Sequence, residues 1–136
     1  MAGTIRLEVV TPEKVVVEEE AQIVMAPGSL GEFGVLIGHT PFLSTLKIGI
    51  VRYKDISGIE RFIFVNGGFA EALPDKVTIL TQSAERRRDI DLERARSAYE
   101  RAKMRLDHKQ EDIDFMRARA ALERALYRLR LAETRH

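Results

Sequence analysis

The chain has 136 residues, no cysteine and a formal net charge of +1. That length suits one domain with an appendage, and the missing thiols exclude disulfides, thiolate nucleophiles and cysteine-ligated metal centres. No run of about eighteen apolar residues occurs, and MAGTIRLEVV lacks the basic start and apolar core of a signal peptide, so a soluble chain facing the cytosol is expected.

Residues 4–10 alternate, with Ile5, Leu7 and Val9 on one face, which predicts a half-buried strand ending in a turn at Thr11, Pro12 and Glu13. Short apolar runs follow at 15–17, 22–25, 35–37, 42–46, 49–54, 61–65, 69–73 and 77–81. Turn signals lie between them: Asp-Ile-Ser-Gly at 55–58, Asn-Gly-Gly at 66–68 and Pro-Asp at 74–75. About nine short strands at this spacing predict an antiparallel β-sandwich or barrel over residues 1–85. The loop PGSLGEFGVLIGHTP, 27–41, carries four glycines and two prolines, but its spacing is neither of the phosphate-binding glycine patterns. His39 has no second histidine at ligand spacing, which leaves a structural hydrogen bond or a partner contact; Glu32 reads as a solvated tip residue.

From Asp89, a predicted N-cap, the period becomes helical. Leu92, Ala95, Tyr99, Ala102 and Leu106 form one stripe, Asp-His-Lys-Gln at 107–110 interrupts it, and Asp112 offers a second cap. Phe115, Ala118, Leu122, Ala125, Leu129 and Ala132 then repeat the stepping. Matching stripes across a short polar connection predict an antiparallel helical hairpin over residues 86–136, making the whole chain α+β. Alanine stripes bury little area, so this hairpin is expected to be weakly held.

Charge divides along the same line. Residues 1–85 hold seven Lys or Arg against eleven Asp or Glu, and residues 86–136 hold fifteen against ten. The basic end invites an anionic ligand or partner. On helices turning by about 100° per residue, Arg94 and Arg101 stand roughly 120° from their stripe, and Arg124 and Arg128 stand off theirs in the same sense. Four guanidiniums lining one groove would suit phosphate oxygens, with Asp91 and Glu85 able to accept from a base or sugar. The plain alternative is a solvated groove in which Glu93, Glu100 and Glu123 pair with these arginines. A basic hairpin alone also fits a nucleic acid, for which the β domain gives no reason. No nucleophile, metal cluster or paired acid–base set points to an enzyme.

The loop PGSLGEFGVLIGHTP, the later FVNGGFAEALPDKVTIL and the Arg-rich closing hairpin together resemble the epsilon subunit of bacterial rotary, F-type, proton-translocating ATP synthases. The resemblance implies a ten-stranded sandwich with two C-terminal helices, in a non-catalytic central-stalk subunit on the cytoplasmic face of the bacterial plasma membrane. Implied partners are the gamma subunit, the ring of c subunits, and the alpha and beta subunits of the catalytic head when the hairpin extends. Restraint of ATP hydrolysis is implied as well. Some members of the family bind ATP as a regulatory ligand, with or without Mg2+. The family's motif for it is matched here by Ile90, Asp91, Leu92, Glu93, Arg94 and Ala95, and its further positions fall on Glu85, Arg101, Arg124 and Arg128. Gly31, Glu32 and His39 match the region placed against the c ring. A coupling scaffold without nucleotide sensing is the alternative.

Overall fold

A computed structural model describes residues 3–108 and 112–134, which divide into two compact units, residues 1–86 and 87–136. The first holds seven strands: β1 Ile5–Val10, β2 Val15–Gly28, β3 Gly31–Val35, β4 Phe42–Asp55, β5 Glu60–Leu73, β6 Lys76–Leu80 and β7 Ala84–Arg86. They are hydrogen-bonded in the order β1-β6-β5-β4-β2-β3, and β1 also pairs with β2, so five strands close into a barrel-like ring. Strand β3 extends from β2, and β7 adds to β5. All pairs are antiparallel except β1 with β6.

The core lies inside this ring. Ile5, Leu7 and Val9 are fully buried while their strand neighbours are not, the period-two signature of a strand with one dry face. Val24, Val35, Val51, Ile63, Val65, Val77 and Ile79 complete it, with Phe33 packed edge-on to Phe42 at 5.1 Å between ring centres.

Where the residue pattern suggests nine short strands, the structure has seven, because three run on for 14 residues each. The expected break at 66–68 is not a turn. Register between β4 and β5 holds across it, from Leu46 opposite Gly68 to Ile48 opposite Asn66. Gly67 and Gly68 take φ of 70° and 112° inside the strand instead, where only glycine is at ease. The turn at 55–58 does form. There the Asp55 carboxylate accepts from the amides of Ser57 (2.9 Å) and Ile59 (3.0 Å) and from Arg61 Nε (3.1 Å). The Ile59 amide above all, then Arg61 and Ser57, hold the Asp55 carboxyl below its ordinary value against the opposing effect of burial.

In the second unit a 3₁₀ turn, Arg87–Asp89, leads into α1 Leu92–Asp107, and α2 spans Asp112–Glu133. The two helices pack on each other as a hairpin, and the 3₁₀ turn packs on α2. Ala95 and Ala102 on α1, and Ala118, Ala125 and Ala132 on α2, are buried. All recur at sevens, so one narrow alanine seam runs along each helix. The larger stripe residues Leu92, Tyr99, Leu106, Phe115, Leu122 and Leu129 are half-buried. Leu131, outside the predicted stripe, is buried too. The expected connection around Lys109 and Gln110, and the capping side chain of Asp112, lie outside the described residues.

Candidate functional site

The residues singled out in the sequence fall into three places. Glu85 sits on β7, in the first unit, opposite Phe64 of β5. Ile90, Asp91, Arg94, Ala95 and Arg101 open the second unit, and Arg124 and Arg128 lie on α2.

Capping organises the start of α1, but one residue pair later than the pattern suggests. Asp89 belongs to the 3₁₀ turn, whereas Asp91 is extended (φ −79°, ψ 114°) and its Oδ1 accepts the Arg94 amide at 3.0 Å. An extended residue with a short carboxylate can meet the free amides of a first turn, and Asp89 is already wound into its own turn. The cap leaves the second carboxylate oxygen of Asp91 as an acceptor. Ile90 and Ala95 are 2% and 4% exposed, so their side chains serve packing. Half of the motif is therefore occupied in building the helix start.

The arginines behave differently. Arg94 and Arg101 are exposed, and Arg124 and Arg128 are half-buried. Of the three glutamates expected as partners, Glu93 pairs instead with Arg96, at 2.8 Å and i,i+3 spacing. Among the described residues Arg94, Arg101 and Arg124 form no ion pair, with Glu100, Glu123 or any other carboxylate. They share this with Lys103, Arg105, Arg117, Arg119 and Arg130, so the hairpin as a whole presents the excess of cations that a polyanion would meet. No grouping of three or more metal-ligating side chains occurs among the described residues.

The second candidate surface is the glycine-rich stretch. It is partly strand, since Gly31 and Glu32 belong to β3, beyond the tight link at Ser29 and Leu30. Glu32 pairs with Arg52 at 3.1 Å, so it is a bridged surface carboxylate and not a bare tip. His39 is half-buried, its Nδ1 lies 2.7 Å from the Thr40 carbonyl oxygen, and its ring tilts against Phe42 at 5.0 Å. That is the structural hydrogen bond the lone histidine suggested. What residue-type reasoning missed here is apolar: Leu30 is wholly exposed, and Leu36, Ile37 and Leu43 are 52%, 41% and 71% exposed. The apolar runs at 35–37 and 42–46 read as strands, but Leu30, Leu36 and Ile37 lie outside the observed strands, in the links on either side of β3.

A polar group at the rim of the ring also escaped notice, its side chain 39% exposed. Glu19, on β2, sits opposite fully buried Leu7 and so points to the core side of the sheet. Its Oε2 accepts from the Tyr53 hydroxyl at 2.6 Å and its Oε1 from Arg86 Nη2 at 3.4 Å. Burial above all, and the bond to Glu19, push the Tyr53 phenol up to about 12, with Arg86 opposing.

Comparison with known proteins agrees with this architecture. Residues 4–87 match the family model for the beta-sandwich domain of the ATP synthase delta/epsilon chain, and residues 88–133 match that for its long alpha-helix domain. ATP synthase epsilon chains of Desulfatibacillum aliphaticivorans and Desulforapulum autotrophicum are 64% and 63% identical over 135 residues, covering 99% of this chain and 96% and 100% of theirs. A chain in the cryo-EM structure of the Euglena gracilis mitochondrial ATP synthase, OSCP/F1/c-ring, superposes with a TM-score of 0.78 at 25% identity, covering 90% of this chain and 78% of that one. One in the Tetrahymena thermophila central stalk and c-ring gives 0.64 at 12%, covering 96% and 98%, a likeness of fold alone. With both units matched by the family's own domain models and relatives of full length so similar, the chain belongs to the delta/epsilon chain family of the ATP synthase, among its epsilon chains, which are non-catalytic subunits.

Proposed function

We propose that this epsilon chain couples the rotor to the catalytic head as a central-stalk subunit, and that its hairpin is a nucleotide-responsive brake on ATP hydrolysis. The folded hairpin binds ATP, with or without Mg2+, through Arg94, Arg101, Arg124 and Arg128, while Asp91 and Glu85 accept hydrogen bonds from base or sugar. Without ATP the helices part, extend along the gamma subunit and meet the alpha and beta subunits. Gly31, Glu32 and His39, with the exposed leucines around them, contact the c ring at the cytoplasmic face of the membrane. Support for the assembly comes from the Euglena likeness, a chain in a complex of F1 and c-ring.

The observation that carries the nucleotide reading is that, among the described residues, Arg94, Arg101 and Arg124 form no ion pair while the neighbouring Glu93 pairs with Arg96. A ligand shifts an equilibrium only by binding one state better, and a surface supplied by both helices exists only while they are paired. The test is calorimetric titration of the full chain with ATP. Saturable heat is expected; none at about 1 mM ATP removes the nucleotide from the proposal.

A constitutive coupling scaffold is the second reading, favoured by the structural occupation of Ile90, Asp91 and Ala95. Deleting residues 87–136 in the assembled enzyme separates the two. Both expect hydrolysis to be released, but only the brake expects its ATP sensitivity to disappear with the hairpin.

A further inference from the structure

The junction between the units has a fastening of its own. Strand β7 is three residues long and, among the described residues, pairs only with β5, through Ala84, Glu85 and Arg86. So short an edge strand, followed directly by the second unit, has little ladder to hold it. Arg86 adds a side-chain tie. It lies opposite fully buried Ile63 and so projects to the core side, with its side chain 16% exposed. Its Nε donates to the Val16 carbonyl at 3.2 Å, Nη1 to the Tyr53 hydroxyl at 3.3 Å and Nη2 to Glu19 at 3.4 Å. One guanidinium thereby ties β7 to β2 and β4, strands with which it shares no ladder. Glu19 and Tyr53 are themselves joined, so both ends of the tie are fixed. No side chain among these atoms is buried without a partner.

An ion pair at 3.4 Å whose side chains keep 16% and 39% of their surface exposed adds little to stability. It is well suited to fixing one segment in one place. We propose that Arg86, clasped by Glu19, Tyr53 and the Val16 carbonyl, is a positioning residue. It locks β7 at the end of the first unit, and it fixes the position of the adjacent Glu85, which the nucleotide reading assigns to the ligand. The second clause rests on the ATP reading above; the first does not. Arginine is required because three divergent acceptors need the guanidinium fork, which a lysine ammonium does not reproduce.

The experiment has two arms on the full chain. Hydrogen exchange resolves the peptide over residues 84–87 in the wild type, Arg86→Lys and Tyr53→Phe; the last keeps the buried ring and removes only the hydroxyl. Exchange there is expected to quicken about tenfold or more in Arg86→Lys and by less in Tyr53→Phe, with β1, β5 and β6 unchanged. Unchanged exchange over 84–87 in both variants overturns the clasp, whatever ATP does. ATP affinity is then measured by calorimetry. If the wild type binds ATP, Arg86→Lys is expected to weaken it by roughly five- to tenfold. Equal affinity despite a loosened β7 overturns the positioning of Glu85. If the wild type fails to bind, the ATP reading falls and with it the positioning clause, and the exchange arm alone decides the clasp.

Discussion

Replacing Gly68 by alanine tests the passage of β5 through its glycine pair. A methyl built there lies 2.0 Å from the Leu80 carbonyl oxygen and 2.9 Å from Thr81 Cα, both backbone atoms that cannot rotate away. The residue also holds φ at 112°. Left-handed backbone costs an alanine about 1–2 kcal/mol. Forcing atoms into a packed interior adds typically ~1–3 kcal/mol. The sum, roughly 2–5 kcal/mol, corresponds to a fall in Tm on the order of 10–30 °C for a unit of this size. Gly58 provides the control, since it has φ of 82° in the β4–β5 turn and nothing within 4 Å of a built Cβ. Alanine there is expected to cost only the backbone part, about 1–2 kcal/mol. Urea unfolding followed by circular dichroism in the strand band reads both. Equal midpoints for Gly68→Ala and Gly58→Ala would refute the close backbone approach on which the argument stands.

Asp91→Ala removes the cap of α1 and is expected to cost about 1 kcal/mol of hairpin stability, seen as lost helical signal. Asp91→Asn keeps the cap, so a drop in ATP affinity there isolates the carboxylate's part in binding. Arg94→Ala and Arg124→Ala are expected to abolish saturable ATP heat, whereas Arg96→Ala, whose guanidinium is engaged by Glu93, leaves it within about twofold; normal binding by Arg94→Ala defeats the site assignment. Acid should loosen the barrel. Lys76 above all, then Arg6, holds the Glu8 carboxyl below its ordinary 4.5, and Asp55 is held below 3.8. Their stabilisation is whole above those unfolded values and fades as pH falls through the lower folded ones. Urea midpoints in Glu8→Gln and Asp55→Asn should therefore decline less steeply below about pH 4.5 than in the wild type.

How much of this was legible depended on how local the signal was. Helix stripes are local, and the alanines at 95, 102, 118, 125 and 132 are buried as their spacing predicts. Strand number was not, because glycine carries two meanings. At Gly58 it marks a turn; at Gly68 and Gly49 it marks an approach, with Pro27 Cβ 2.9 Å from a Cβ built on Gly49. Only the partner strand tells these apart. The same holds for Glu19, one of three consecutive glutamates, whose inward direction follows from register with β1 and whose partners lie 34 and 67 residues away. In the candidate site, residue types pointed to the arginines, but which glutamate would be diverted to Arg96 followed from side-chain geometry that spacing leaves open.

The alanine seam bears on the opening proposed for the hairpin. Each methyl that leaves the seam returns on the order of 1 kcal/mol or less to water, and the larger flanking side chains are half-wet beforehand. In the proposed open state the helices would present small groups alternating with larger apolar ones, in place of an unbroken leucine face. A leucine seam would close more tightly, but it would make every opening an occasion for aggregation. With alanine between the larger residues, the proposed opening would expose less apolar surface than a leucine seam would.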